Sequence, residues 1–314
     1  MRQPATQPAT NSAIGPAPHP TRLGRRWRQA VQMNAVLRGL LRQRSVWAGL
    51  LMMLLLAAAT VIWPAVSQFD PFEQDLLGRL QPPAWNPAGS AAHPLGTDAL
   101  GRDYLARLLL GAQTSFRVCG LAVLFSACLG STIGLYAGYA GGIVETLLMR
   151  LADVQLAFPF IILCIALLSV VSPSLWTISI VLAVADWVIY ARLARGQTLV
   201  EKEKEYTTAA RATGVREQRI IFRHILPNVL PVIVVVAGLE FGTLVQVEAI
   251  LSFLGLGVQP PTPSWGNMLG EGRNYMSSHF YLMLLPGLFL FYTVLATNLV
   301  ADGLRNVLDP VSRR

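Results

Sequence analysis

The sequence predicts an all-α membrane protein with six transmembrane helices, because its composition, its apolar runs and the placement of its charges agree. Hydrophobic residues make up 53% of the 314-residue chain, charged residues only 13%, and the mean hydropathy is +0.48. A soluble domain carries about 25% charged residues, so this composition excludes a water-soluble protein. The apolar residues are gathered into runs of the length that crosses a bilayer, about 20 residues.

Six apolar runs are the candidate spans, and the polar segments between them divide the chain. The runs are 46–66, 116–138, 147–171, 175–192, 229–250 and 281–299. We expect a cytoplasmic N-terminal segment, an outer loop, a core of five spans and a cytoplasmic tail. These are residues 1–45, 67–110, 111–304 and 305–314, respectively, and the first span, 46–66, lies between the first two. A break is expected at Phe158–Pro159 in the third run, since proline lacks the amide hydrogen a helix needs.

The N-terminal segment is predicted to lie in the cytoplasm. Residues 1–20 are rich in Pro, Ala, Thr and Gln and have no hydrophobic period, which predicts disorder. Residues 22–44 carry many arginines and no acidic residue, which predicts an amphipathic helix on the inner membrane surface. The alternative is a cleaved signal peptide, since residues 57–59 are alanines. The basic leader is too long for that, and the apolar run continues beyond the alanines.

The outer loop ends in a turn and a helix start within HPLGTDALGRDYLARLLLGAQ, residues 93–113. We expect Asp98 to cap a helix that begins near Leu100. A metal site at His93 and Asp98 is the alternative, but a lone His and Asp in a capped turn are more often structural. The cysteines Cys119, Cys128 and Cys164 lie in apolar runs without metal or disulfide spacing, so we expect small buried hydrophobic residues.

Small and charged residues inside the spans make further predictions. Gly130, Gly134 and Gly138 recur every four residues, which predicts a groove for close helix packing. Arg150 and Asp153 are one turn apart and are expected to pair. Three carboxylates, Asp186, Glu240 and Glu248, fall within or at the end of spans. Such groups must face protein or water, so they are candidates either for the transport pathway or for hydrogen bonds between helices.

A charged island, residues 201–228, separates the fourth and fifth spans. Its sequence is EKEKEYTTAARATGVREQRIIFRHILPN. Helical periodicity predicts a short amphipathic helix up to Thr213, a break at Gly214 and a second amphipathic run that ends at Pro227. This pattern favours a rigid knob, although an interfacial helix on anionic headgroups has the same signature. Farther along, residues 251–269 contain prolines and glycines that exclude a continued helix, which predicts an outer loop or re-entrant element.

These motifs together resemble one family. AARATG followed by HILPN resembles the cytoplasmic "EAA" loop of permease subunits of binding-protein-dependent ABC importers. The phrases HPLGTDALGRDYLARLLLGAQ, DVQLAFPFIIL and LSFLGLGVQPPTPSWGNML are similar to the C-type subunit of dipeptide, oligopeptide, glutathione or nickel importers. The resemblance covers residues 42–310. It departs at Thr208, where the family carries glutamate and this chain has Glu205 one turn earlier, and at Ala301 and Asn306 in the tail.

The resemblance implies a type I ABC importer permease fold with a coupling helix in the island, and residue roles follow from it. ATPase coupling would involve Glu205, Tyr206, Ala209, Ala210, Arg211, Gly214, Arg219, His224 and Pro227. An outer gate or binding-protein contact would involve Leu254, Gly255, Gly257, Pro261 and Trp265. The implied partners are a second, non-identical B-type permease subunit, two ATPase subunits and an external substrate-binding protein in the bacterial cytoplasmic membrane.

The function expected is therefore half of an alternating-access pathway for di- or oligopeptides. The chain lacks the phosphate-loop pattern G-x-x-x-x-G-K-S/T, so no catalytic residue or cofactor is expected here, and ATP and Mg²⁺ would be bound by the partner ATPases. Nucleic acid is not expected, since the arginines lie beside the spans. Nickel and glutathione remain alternative substrates, although the histidines (His19, His93, His224 and His279) are not clustered in the sequence. A remoter alternative is an ion-coupled transporter that uses the three carboxylates.

Overall fold

The computed structural model describes residues 43–67 and 69–308, and helices dominate this part of the chain. The helices are α1 (Arg44–Val66), α2 (Tyr104–Ala140), α3 (Gly142–Leu156), α4 (Phe160–Leu168), α5 (Leu175–Lys202), α6 (Glu205–Ala212), α7 (Glu217–Ile220), α8 (Leu226–Phe253), α9 (Trp265–Gly272) and α10 (Tyr281–Leu308). A π-helical turn, Ile221–Ile225, joins α7 to α8. The predictions for residues 1–42 and for the last residues of the tail lie outside the described residues.

The described helices provide the six predicted membrane crossings when one bent pair is counted as a single span. Five segments are long and apolar enough to cross: α1, α2, α5, the continuous unit from α7 to α8, and α10. Helices α3 and α4 pass the same test together and meet at an angle of 87°. The bend lies at the predicted break, because Pro159 precedes the first residue of α4 and cannot continue the helix.

Helices α2 and α5 form the central pair of the bundle, and the predicted glycine groove is their interface. A Cβ atom on Gly130, Gly134 or Gly138 would lie 2.8 Å from the Cβ atom of Tyr190, Ala194 or Thr198, respectively. The carbonyl oxygens of α5 would be closer still at the first two positions. Because non-bonded carbon atoms are normally about 3.5–4.0 Å apart, only glycine at these three positions permits α2 and α5 to approach this closely.

The start of α2 differs from the prediction. The helix begins at Tyr104, within the predicted outer loop, and its cap is Asp103 instead of Asp98. The Asp103 carboxylate accepts the Ala106 amide at 2.7 Å. Asp98 instead accepts the Leu100 and Arg102 amides, which closes the turn before the helix. Both aspartates had a free amide within reach along the chain, so local spacing could not distinguish them.

Helix ends and one ion pair also differ from expectation. Helix α5 extends past Arg192 to Lys202, and α8 begins before the predicted start of the fifth span. Pro227 does not end the second run, because it lies in the first turn of α8, where a missing amide hydrogen costs little. Asp153 binds Arg192 of α5 at 2.7 Å, so it pairs across helices and not with Arg150.

Candidate functional site

The knob, residues 205–220, consists of α6, a short turn and α7. Gly214 in the turn has φ +73°, the left-handed conformation expected of it, and a Cβ atom there would meet nothing within 4 Å. The α7 end of the knob runs without interruption through the π turn into α8. Of the predicted coupling residues, Glu205, Ala209, Arg211, Gly214, Arg219 and Pro227 are exposed, and Tyr206, Ala210 and His224 are half-buried.

A polar network attaches the knob to the two neighbouring spans. The Glu201 side chain at the end of α5 is buried, and its carboxylate accepts the Tyr206 hydroxyl and the Lys204 ammonium, the latter at 2.5 Å. The Asn228 amide of α8 donates to the Tyr206 oxygen at 3.2 Å. Thr207 donates to the Glu201 carbonyl at 2.9 Å. Burial, followed by the bond to Glu201, raises the pKa of Tyr206 above its ordinary value, so the hydroxyl remains a donor.

An apolar contact at the junction of the knob with the π turn holds its other side. Ile220, Ile221 and Ile225 are buried in one cluster with Leu135 of α2 and Tyr190 of α5. Burial of each isoleucine side chain stabilises the folded state by about 1.5–3 kcal/mol relative to leaving it exposed to water. The inner side of the knob is therefore bound to the bundle, while the exposed side presents alanines and arginines.

The outer segment, residues 254–264, leads from α8 to α9. Gly255 allows the chain to leave α8 with φ +83°, and the Ser264 and Asn267 side chains form a capping box that starts α9. Leu254, Gly255 and Pro261 are exposed. Gly257 and Trp265 are buried, so in this conformation these two predicted contact residues pack inside the chain.

Trp265, the first residue of α9, anchors the end of this outer segment. Its side chain is fully buried, and its indole N–H donates to the Leu108 carbonyl of α2 at 3.0 Å. The indole also contacts Phe116 and Phe289 with ring centroids 5.7 and 6.0 Å apart. These contacts fix the end of the segment against α2 and α10.

The three carboxylates within the spans have different environments in the structure. Glu248 is fully buried and accepts the Ser115 and Ser252 hydroxyls at 2.9 and 2.6 Å, an arrangement that joins α2 to α8. Asp186 is 2% exposed and accepts the Ser126 hydroxyl at 3.1 Å. Glu240 is half-buried at the centre of α8. Glu248 is therefore enclosed within the bundle and reaches no open surface, in contrast to Glu240.

Charged residues of the outer loop form a separate structural cluster. Arg102 and Arg107 both contact Asp98, at 2.7 and 3.2 Å, and both reach Glu271 of α9, at 3.6 and 3.3 Å. His93 contacts Asp103 at 2.9 Å and not Asp98. Within residues 43–67 and 69–308, no group of three potential ligands is placed to hold a metal ion. Two cysteines are buried as expected, but Cys128 is exposed on the surface of α2.

Comparison with known proteins identifies the family. The family described as binding-protein-dependent transport system inner membrane component matches residues 130–314, which include the knob, the outer segment and the last four spans. The chain belongs to this family. It is 38% identical over 269 residues to the dipeptide transport system permease DppC of Haemophilus influenzae, covering 86% of this chain and 91% of the relative.

Other relatives of this permease have similar coverage. It is 41% identical over 262 residues to the di/tripeptide transport system permease DppC of Pseudomonas aeruginosa, covering 83% of this chain and 86% of the relative. It is also 41% identical over 278 residues to the glutathione transport system permease GsiD of Pectobacterium atrosepticum, covering 87% and 89%.

The solved structures confirm the fold of the permease. Inward-facing MetNI, a methionine ABC transporter, matches with a TM-score of 0.52 and 22% identity, over 64% of this chain and 97% of the solved chain. The expected type I ABC importer permease fold is therefore confirmed. The match supports the fold alone.

Sequence reasoning missed Glu201 and Asn228 as parts of the permease site. Both residues appeared only as the ends of the charged island, and Tyr206 appeared only as an expected ATPase-coupling residue. A carboxylate at the end of a span, followed within two turns by a tyrosine, was the available signal. The third partner, Asn228, lies 22 residues beyond Tyr206 and is found only through the tertiary structure.

Proposed function

We propose that this permease forms half of the translocation pathway of an ATP-driven importer of di- and oligopeptides and is itself non-catalytic. Near full-length similarity to permeases named for dipeptides and di/tripeptides supports the peptide substrate. The relative named for glutathione makes that compound the second substrate to test.

The complete importer would contain a second, B-type permease subunit, two ATPase subunits and an external binding protein. It would lie in the bacterial cytoplasmic membrane with both termini of this chain in the cytoplasm. ATP and Mg²⁺ would be held by the ATPases. The basic segment at residues 22–44 supports this orientation, since arginines concentrate on the cytoplasmic side of a first span.

The observation that carries the proposal is the way in which the knob is built. Its outer side exposes Ala209 and Arg211, while its inner side is bound to α5 through Glu201 and to α8 through Asn228 and the continuous helix. A push on the exposed side therefore moves α5 and α8 together. Closure of the ATPase pair would open the pathway outward, the binding protein would release peptide into it, and hydrolysis would restore the inward state.

Gly214 provides the test of coupling. At φ +73° a β-branched side chain is strained, whereas asparagine adopts this conformation at low cost. We expect Gly214→Val to leave the complex assembled and hydrolysing ATP while peptide uptake falls. Gly214→Asn, the matched control, should preserve both activities. The measurement is uptake and ATP hydrolysis by the complete complex in proteoliposomes; equal coupling ratios in both variants would contradict the proposal.

The same proteoliposomes distinguish the substrates and the driving force. A radiolabelled dipeptide should be imported with ATP, and glutathione and Ni²⁺ are offered in parallel. Uptake that persists without ATP but disappears with the ion gradient would establish the ion-coupled alternative instead.

A further inference from the structure

The centre of α8 carries a polar stripe on a span that is otherwise strongly apolar. The stripe consists of Glu240, Thr243 and Gln246, spaced by three residues and therefore turned about 60° from one another. Thr243 and Gln246 are exposed and Glu240 is half-buried. The mean hydropathy of the span is 2.0, so the stripe interrupts an apolar surface.

Other exposed span surfaces have the composition expected of a lipid contact. The outer half of α5 exposes Trp176, Ile180 and Val184, with 59%, 50% and 41% of each residue accessible. Val234, on the opposite side of α8 from Thr243, is 60% exposed and equally apolar. The polar stripe therefore lies on a different side of α8 from Val234, and Ile250, two turns beyond Thr243 on the same side, continues it as an apolar residue that is 42% exposed.

Glu240 has no hydrogen bond or ion pair within the described residues, and its electrostatic neighbour there is another acid, Asp186. An ionisable side chain within a span faces the bundle interior or a water-filled cavity, and Glu240 is only half-buried, with no cation beside it among the described residues.

We propose that the stripe faces the aqueous translocation pathway and that Glu240, with Asp186 behind it, attracts the ammonium group of the passing substrate. The inference rests on the proposed function, since a peptide brings a protonated amino terminus. It makes Glu240 a specificity-determining residue and leaves Glu248 as a structural one.

Cysteine accessibility in the complete complex tests the placement of the stripe. In a background in which Cys128 is replaced by serine, Thr243→Cys, Gln246→Cys and the control Val234→Cys are treated during ATP turnover with two water-soluble methanethiosulfonates. One reagent carries trimethylammonium and the other carries sulfonate. We expect modification at 243 and 246 but not at 234. Absence of modification at both 243 and 246 would overturn the inference.

The charge of the reagent tests the role of Glu240. Near the two carboxylates the cationic reagent should react faster than the anionic one at position 243. Adding Glu240→Gln should lower the cationic-to-anionic rate ratio about tenfold, as expected for removal of one nearby charge in a medium of intermediate dielectric. An unchanged ratio would overturn the ammonium role, as would occur if a cation of the second permease subunit neutralised Glu240.

Peptide uptake separates this inference from the proposed function. If the native complex imports no peptide, the proposed function fails whatever the labelling shows. If the native complex imports peptide and Glu240→Gln imports it at the native rate with the native concentration dependence, the specificity role of Glu240 fails alone.

Discussion

Replacement of Gly134 by alanine should destabilise the permease, although alanine is the better helix former. A Cβ atom at this position would lie 2.8 Å from the Cβ atom of Ala194 and nearer to the Ala191 carbonyl. Because such contacts normally need about 3.5 Å or more, α2 and α5 must move apart. Overpacking of this kind costs about 1–3 kcal/mol, and the helix propensity of alanine offsets at most about 1 kcal/mol of it.

Gly120→Ala is the matched control for this change. Gly120 lies on the same helix, and a Cβ atom there would meet nothing within 4 Å, so only the favourable propensity term applies. The assay is thermal unfolding of the purified complex in detergent, followed by the loss of its assembled form. We expect Gly134→Ala to unfold several degrees below Gly120→Ala, since about 1 kcal/mol shifts the midpoint of a large domain by about 2–4 °C.

One result would refute the packing argument. If Gly134→Ala unfolds at the same temperature as Gly120→Ala, or above it, the glycine groove is not a close interface in the native membrane protein.

Two further predictions concern the buried polar groups. Tyr206→Phe removes a hydrogen-bond donor from the buried Glu201 carboxylate, and the loss of such a bond to a charged group costs about 1.5–3 kcal/mol. We expect ATP hydrolysis in proteoliposomes to persist while peptide uptake per ATP falls. An unchanged ratio of uptake to hydrolysis would show that the network does not transmit motion. Glu248→Gln turns an acceptor into a donor opposite Ser115, leaving a buried donor unsatisfied at about 1–3 kcal/mol. Its unfolding temperature should fall below that of Glu240→Gln, and the reverse order would contradict the structural role of Glu248.

Local patterns in the sequence predicted the features that depend on local physics. Hydropathy located the spans because a bilayer requires about 20 apolar residues whatever their neighbours. The break before α4 followed from Pro159, and the positive φ of Gly214 from its place between two amphipathic runs. In each case the deciding interaction lies within a few residues along the chain.

Choices among equivalent local partners could not be predicted. Asp98 and Asp103 are both spaced to cap a helix, and Asp103 does so because α2 begins at Tyr104. Asp153 could reach Arg150 along its own helix, but α5 brings Arg192 to 2.7 Å. Periodicity predicted a glycine groove, yet its partner helix emerged only from the packed bundle.

The sequence by itself determined the class of the molecule: its spans, its rigid knob and its resemblance to ABC importer permeases, all carried by local patterns and motifs. The tertiary structure alone decided which carboxylates are buried and which remains on an open surface. Burial depends on residues distant along the chain, as when Ser115 approaches Glu248 across 133 positions. The attachment of the knob through Glu201, Tyr206 and Asn228 has the same origin, because three helices must pack before those side chains meet.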